Sequence, residues 1–261
     1  MIELKQVSKR FGDFIAVDRV SLRVESGKIF AFLGPNGAGK TTIIKMMTTL
    51  TRPTAGEILL DGVNVVEQPS SARRSFGIVF QDPSLDNELT AYENMQFHAI
   101  LYGLPRAVYA ERIKRLLDLV ELTGRKDNFV KTFSGGMKRR LEIARGLLHA
   151  PKILFLDEPT LGLDPQTRNH LWTHIRNLNR EEAVTVFFTT HHMEEVERVA
   201  EQLAIIDRGK IIAQGATETI REKIGAASLE EAFIKLTGHE IREESPNFGL
   251  QQMRTTVKMF K

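Results

Sequence analysis

One short stretch carries most of the information in this sequence: Gly34-Pro35-Asn36-Gly37-Ala38-Gly39-Lys40-Thr41-Thr42. An apolar run at 29–33 precedes it, and residues 43–47 continue with a mostly apolar composition. In such a strand, loop and helix, the glycines let the backbone curl until successive N–H groups point towards a bound phosphate. Lys40 then reaches the terminal phosphates of a nucleotide, and the hydroxyl of Thr41 is a ligand for Mg²⁺. The alternative is a glycine-rich turn with a solvated lysine, which leaves the flanking strand and helix unexplained.

Length and composition indicate a globular protein. The 261 residues, 42% of them hydrophobic, suffice for one large domain or for a domain with an inserted lobe. There is no cysteine, which excludes disulfides and thiolate metal sites. No apolar run approaches the roughly 20 residues that span a bilayer, and no signal-peptide core follows the first residues. We therefore expect a cytoplasmic location unless a partner holds the chain elsewhere. The net charge of +3 is most simply a solvated basic face.

Two kinds of β-structure are predicted around the loop, which indicates an α/β fold. Short alternating apolar stretches over residues 2–24 predict an N-terminal antiparallel β layer. Mainly apolar stretches without alternation predict strands buried on both faces, as in a parallel sheet; they lie at 29–33, 151–159 and 184–190. Phe11 lies beside Gly12, at a turn of the antiparallel layer. It either stacks on a nucleotide base or is an ordinary core phenylalanine.

Polar groups follow the buried strands of the predicted sheet. Gln81 follows the apolar stretch at 78–80, Asp157 and Glu158 end another strand, and His191 ends the next. Because the carboxyl ends of parallel strands gather along one edge, these groups are expected beside the phosphate loop. Asp157 is predicted to bind Mg²⁺ through water, and Glu158 to polarise the attacking water. One nucleotide site then explains why polar residues follow each of these strands.

A helical lobe is predicted at about 85–150, inserted into the phosphate-loop NTPase core. Within it, Ser134-Gly135-Gly136 opens a helix with one apolar face and forms a second anion-binding helix terminus. The alternative is an ordinary serine N-cap with a glycine turn. The basic cluster at 138–140 is interpreted as a solvated face. We predict one domain over residues 1–238 and a polar C-terminal tail over 239–261.

The ordered set of motifs resembles the ATP-binding subunit of an ABC transporter over essentially residues 1–238. The motifs that carry the resemblance are the phosphate loop, Gln81, Ser134-Gly135-Gly136, Asp157-Glu158, Asp164 and His191. The resemblance implies that two subunits close head to tail on two ATP molecules. Each ATP is then held between the phosphate loop of one subunit and the Ser-Gly-Gly helix of the other.

The resemblance also implies roles for individual residues. Phe11 would stack on the adenine, and Gln81 would join Mg²⁺ to the membrane partner. Asp164 would make a contact across the dimer, and His191 would act as the switch at the γ-phosphate. Met137 stands where the family usually has glutamine, and it cannot donate the hydrogen bonds of an amide. Ser134 and the glycine amides would then be the main signature contacts.

The stretches at 133–140, 162–168, 229–233 and 236–238 are similar to ABC-2-type drug-resistance exporters of the daunorubicin-efflux kind. Gly162 stands where alanine is common in the family. This resemblance implies ATP and Mg²⁺ as cofactors. It implies as partners a second ATP-binding subunit, in a homodimer, and an integral-membrane permease. The subunit would lie on the cytoplasmic face of the membrane and power export of drugs, lipids or other hydrophobic compounds.

Two other classes of protein share the phosphate loop. Soluble ABC ATPases that act on nucleic acid or on a cytosolic assembly usually carry two ATP domains, a coiled coil or a long basic segment, and this sequence shows none of these. No nucleic acid is therefore expected as a partner. Kinases and GTPases of the wider class lack a Ser-Gly-Gly motif of this kind, and the guanine-type N-K-x-D motif is absent from this sequence.

Overall fold

The computed structural model describes residues 1–238, so the predicted polar tail at 239–261 lies outside the described residues. The helices and strands are β1 (Ile2–Phe11), β2 (Phe14–Val24), β3 (Ile29–Leu33), α1 (Lys40–Met47), β4 (Ala55–Leu60), β5 (Val63–Asn64), α2 (Pro69–Ser75), β6 (Phe76–Val79), α3 (Ala91–Leu101), α4 (Arg106–Leu119), α5 (Gly135–Gly146), β7 (Ile153–Asp157), α6 (Pro165–Glu182), β8 (Thr185–Thr190), α7 (Met193–Val199), β9 (Gln202–Asp207), β10 (Lys210–Gly215), α8 (Thr217–Ile224) and α9 (Leu229–Thr237).

The N-terminal sheet is antiparallel, as its alternating sequence predicts. Its strand order is β2-β1-β4-β5, and Leu4 pairs with Leu22 across the first two strands. Alternate residues such as Ile2, Leu4 and Val24 are buried, while their neighbours are polar. This face packs on α1 and on the second sheet, and the packing gives the phosphate loop a rigid support.

The second sheet has the strand order β10-β9-β3-β8-β7-β6, and β9, β3, β8, β7 and β6 are mutually parallel. All residues of β3, β7 and β8 are buried, because helices or the other sheet cover both faces. The predicted phosphate-loop core with a parallel sheet and an antiparallel layer is thus confirmed. Strand β6 ends at Val79, so Phe80 lies just beyond it rather than at its end as predicted.

Helices α3, α4 and α5 lie within the predicted helical lobe. A capping box starts α3, since Thr90 accepts a hydrogen bond from the N–H of Glu93 while the Glu93 carboxylate accepts from Thr90. The helix ends before Gly103, whose φ of 70° lies in the left-handed region that favours glycine. Within residues 1–238, no helix combines the length and the apolarity needed to cross a bilayer.

Candidate active site

The phosphate loop joins β3 to α1, and Lys40 is the first residue of that helix. Gly39 caps the helix with a φ of 107°, and a Cβ added there would lie 2.7 Å from the carbonyl oxygen of Ala16. Lys40 is only 5% exposed, and its Nζ donates to the carbonyl oxygens of Gly34 at 2.7 Å and Pro35 at 3.3 Å. Burial lowers the pKa of Lys40, and the charge of Glu158 opposes this effect.

The two carboxylates at the end of β7 have different surroundings. Asp157 is buried, and its Oδ1 accepts a hydrogen bond from Thr189 at 2.6 Å. Burial raises the pKa of Asp157, against the hydrogen bond from Thr189 and the nearby hydroxyl of Thr41. Burial alone would also raise the pKa of Glu158, but the nearby His191 ring and the charge of Lys40 bring it below its ordinary value.

Glu158 lies between a lysine and a histidine. Its Oε1 is 3.4 Å from the Nζ of Lys40, and its Oε2 is 3.2 Å from the Nδ1 of His191. In the sheet, β8 lies between β3 and β7, so the strand that ends at His191 is the neighbour of both the phosphate-loop strand and the carboxylate strand. The structure therefore brings Lys40, Asp157, Glu158 and His191 to one edge, as the sequence predicts.

Gln81 follows β6, the next strand along this edge, and its loop is held by charged side chains of α5. Arg139 donates to the carbonyl oxygens of Phe80 at 2.5 Å and of Gln81 at 3.1 Å. Glu142 is 1% exposed, pairs with Arg139 at 3.2 Å, and accepts from the N–H of Ser84 at 2.6 Å. The interpretation of the basic cluster as a solvated face is therefore wrong for Arg139, which is 7% exposed. The i,i+3 spacing of Arg139 and Glu142 is visible in the sequence, but their burial under the Gln81 loop is not.

Ser134 and Asp164 each cap a helix. The Ser134 hydroxyl accepts from the N–H of Met137 at 3.3 Å, and Asp164 accepts from the N–H of Thr167 at 3.0 Å. These two helix starts lie side by side, since a Cβ added to Gly136 would lie only 2.3 Å from Cγ2 of Thr167. Met137 is partly buried against the hydrophobic core. The structure thus places Ser134, Gly136 and Asp164 together, and the polar partners of Ser134 belong to its own helix.

Phe11 is the last residue of β1, where it pairs with Phe14 across the hairpin, so it lies on a strand rather than in the turn. Its side chain is 54% exposed, and the Nζ of Lys9 lies 4.9 Å from the ring centroid. The exposure excludes a core role for Phe11 and leaves its ring face accessible to a planar partner.

The sequence profile described as ABC transporter matches residues 17–161. The Nod factor export ATP-binding protein I of Cupriavidus metallidurans is 40% identical over 88% of this chain and 76% of its own length. The linearmycin resistance ATP-binding protein LnrL of Bacillus subtilis is 38% identical over 93% of this chain and 76% of its own. This chain belongs to the ABC transporter family.

Solved structures agree with this assignment. An ATP-binding subunit of an ABC transporter superposes with a TM-score of 0.81 and 32% identity, covering 90% of this chain and 99% of that one. A dimeric ATP-binding cassette, solved with ADP and phosphate in a post-hydrolysis state, superposes with a TM-score of 0.73 and 29% identity, covering 83% and 98%. The chain is the ATP-hydrolysing subunit of an ABC transporter, and the alternative of a soluble ABC ATPase is not favoured.

Sequence reasoning missed three polar residues of this site. Thr189 bonds to both Asp157 and the backbone of Glu158. Glu195, 3% exposed, accepts from the hydroxyls of Thr160 at 2.5 Å and Thr190 at 2.9 Å. The third is Glu142. A weak signal existed for Thr189, because its polar side chain lies on the strand next to Asp157, but only the register of β7 against β8 places the two in contact.

Proposed function

We propose that this subunit hydrolyses ATP in a homodimer with shared sites and powers the export of hydrophobic compounds through a separate permease. The observation that carries the proposal is the convergence of Lys40, Glu158 and His191 at the carboxyl edge of the parallel sheet. Lys40 exchanges its contact with Glu158 for the terminal phosphates, which frees the carboxylate to orient the attacking water and accept its proton. His191 then donates a hydrogen bond to the γ-phosphate.

The donor set fits a magnesium ion. Thr41 lies near enough to Asp157 for its hydroxyl to lower the pKa of that carboxyl, so a hydroxyl and a carboxylate oxygen converge, and Mg²⁺ prefers such oxygen ligands. Gln81 is exposed just beyond the neighbouring strand β6 and would supply a third oxygen. When bound, Mg²⁺ neutralises charge on the phosphates. The protein's part is to hold these side chains, which Thr189 does for Asp157 and Arg139 does for the Gln81 loop.

The dimer follows from the distribution of the motifs. Within residues 1–238 there are two helix starts suited to phosphate, at Lys40 and at Ser134, but the lysine and the strand-end carboxylates Asp157 and Glu158 accompany the first of them. A head-to-tail dimer uses each motif once, with Ser134, Gly135, Gly136 and Met137 facing the partner's nucleotide and Asp164 beside them. Phe11 stacks on the adenine. The dimeric cassette that superposes on this chain supports the assembly of two subunits.

The exporter assignment rests on relatives whose names concern Nod factor export and linearmycin resistance. Both names describe proteins of efflux or resistance. From them we infer transport of drugs, lipids or other hydrophobic compounds, and a location on the cytoplasmic face of the membrane through the permease.

An exposed apolar face on α3 supports a permease partner. Phe97, Ile100 and Leu101 are 59%, 59% and 66% exposed, and their spacing puts them on one side of the helix. Contiguous apolar surface of this kind marks interaction sites. The next residue, Tyr102, lies near Arg145, whose guanidinium donates to the carbonyl oxygen of Ser84 in the Gln81 loop. A permease bound to this face would thus be connected to the nucleotide site.

The experiment is affinity purification of the subunit from detergent-solubilised membranes of the cells that produce it. A multi-spanning membrane protein should accompany the native subunit and be lost with Leu101→Asp, because a charge on the apolar face must be desolvated on docking. Ile212→Asp is the matched control, since Ile212 is 37% exposed on β10, and it should retain the partner. Nucleic acid in place of a membrane protein would instead favour the soluble class of ABC ATPase.

A further inference from the structure

One buried hydroxyl joins both carboxylate residues at the end of β7. Thr189 is 0% exposed and lies in register with Asp157 on the adjacent parallel strand. Its Oγ1 donates to Oδ1 of Asp157 at 2.6 Å and accepts from the backbone N–H of Glu158 at 3.0 Å. A single side chain therefore contacts the carboxylate of one residue and the backbone of the next.

The backbone at Glu158 needs such a constraint. Its φ of 46° lies in the left-handed region, which non-glycine residues rarely adopt. Strained conformations persist only where the surroundings over-determine them, and they cluster at functional sites. The hydrogen bond from the Glu158 N–H to Thr189 is a constraint of this type. In this conformation the Glu158 side chain reaches Lys40 and His191 at 3.4 and 3.2 Å.

Other threonines of β8 have different partners. Thr190 donates to Glu195 at 2.9 Å, whereas Thr185 accepts from the N–H of Gly27 at 2.9 Å, at the start of the strand. Thr185 is also buried, at 1% exposed. The strand thus contains, four residues before Thr189, a buried threonine whose hydroxyl bond is remote from the carboxylates.

We propose that Thr189 is a positioning residue for ATP hydrolysis. Its hydroxyl fixes the carboxylate of Asp157 on the metal side of the site and the backbone that aims Glu158 at the attacking water. This inference rests on the proposed roles of Asp157 and Glu158. It assigns to β8 a function beyond carrying His191, because one strand then orders both carboxylates of its neighbour.

The test replaces the hydroxyl by a methyl group in Thr189→Val, which keeps the shape and suits a strand. Turnover per nucleotide-binding site should fall by roughly 10- to 100-fold, because a small misplacement of a catalytic group has effects of that size. Binding of ATP without Mg²⁺ should stay within about twofold, since the phosphate loop is untouched, and half-saturation of turnover by Mg²⁺ should require several times more ion. Thr189→Ser retains the hydroxyl and should recover most of the turnover.

Thr185→Val is the matched control, and its turnover per site should remain within about twofold of the native value. Counting sites by equilibrium nucleotide binding removes the effect of any misfolded fraction, and Thr189→Ala provides a second variant without the hydroxyl. Native turnover in Thr189→Val with only a lower melting temperature would overturn the proposal. Turnover in Thr189→Ser as slow as in Thr189→Val would overturn it too.

Glu158→Gln separates this proposal from the assignment on which it rests. That variant should bind ATP and fail to turn it over, because the water loses its acceptor. Native turnover in Glu158→Gln would show that the role of Glu158 is wrong. An inactive Glu158→Gln beside a fully active Thr189→Val would reject the role of Thr189 alone.

Discussion

Single buried charges in this subunit are held by partners of opposite charge. Lys40 lies 3.4 Å from Glu158, and Arg139 lies 3.2 Å from Glu142. Three of these side chains are buried, and Glu158 is 12% exposed. Removing one member of such a pair leaves an unpaired buried charge, which typically destabilises a protein by about 3–5 kcal/mol. In the first pair, Lys40 can replace its contact with Glu158 by a contact with a phosphate. In the second pair, Arg139 and Glu142 are also hydrogen-bonded to backbone groups of the Gln81 loop.

Phe11→Ala should weaken binding of ATP and of GTP to a similar extent. Stacking uses the π face, which every base has, and contributes about 1–3 kcal/mol per base in nucleic-acid systems. Equilibrium binding of both nucleotides measures the effect. Phe14→Ala is the control, because Phe14 is 66% exposed and lies opposite Phe11 in the same hairpin. Equal affinities before and after the Phe11 substitution would remove the stacking role.

At the scale of elements, the helical lobe meets the core through a small aromatic cluster. Tyr102, at the end of α3, stacks on His149 with centroids 3.9 Å apart, and His98 lies 4.8 Å from Tyr102. The Nε2 of His149 is 2.9 Å from the carbonyl oxygen of Phe76 in the core sheet. Burial lowers the pKa of His98 and of His149 to about 4, with Arg145 and Arg112 respectively adding to the effect.

This cluster predicts loss of stability in mild acid. The histidines titrate near 6.5 when unfolded and near 4 when folded, so between these values the unfolded chain binds more protons. The free energy of unfolding should therefore fall as pH drops from about 6.5 to about 4, by up to about 3 kcal/mol for each histidine.

Urea unfolding at pH 7 and at pH 4.5 measures the loss. His98→Phe cannot take up the proton, so it should lose less stability over this range than the native subunit. His170→Phe, which removes an exposed histidine of α6, should behave like the native subunit. An identical pH response in His98→Phe and the native subunit would contradict the prediction.

At the scale of the whole molecule, the shared nucleotide site predicts how one variant behaves alone and in a mixture with a second variant. Ser134→Arg should bind ATP normally through its own phosphate loop but remain a monomer without turnover, because the arginine obstructs the partner's phosphate. Mixing it with Lys40→Ala should restore at most one competent site per heterodimer. Gel filtration with ATP and the rate of ATP hydrolysis measure both effects.

The control for this experiment is Ala110→Arg, which places the same side chain on an exposed position of α4 and should leave dimerisation intact. A Ser134→Arg subunit that alone dimerised with ATP and turned it over would refute the shared site.

Much of this molecule can be predicted from local patterns in the sequence. Alternating apolar residues predict the antiparallel sheet, and uniform apolar runs predict β3, β7 and β8, because these patterns reflect which faces of a strand are covered. The order of strand ends then predicts that Lys40, Asp157 and His191 meet at one edge. These inferences need only the chain direction and the rule that parallel strands end on the same side of a sheet.

Other features depend on which elements become neighbours in space. The sequence context of Arg139 predicts an exposed side chain. In the structure this side chain is buried, because the Gln81 loop folds over α5. Thr189 acquires its role only because β8 pairs with β7 in one particular register. Position 136 requires glycine because Thr167 leaves no space there for a Cβ. Local sequence determines which side chains a strand or helix presents on each face. Tertiary packing decides which of these groups lose water and find a partner, since both the desolvation and the hydrogen bond depend on residues remote in the chain.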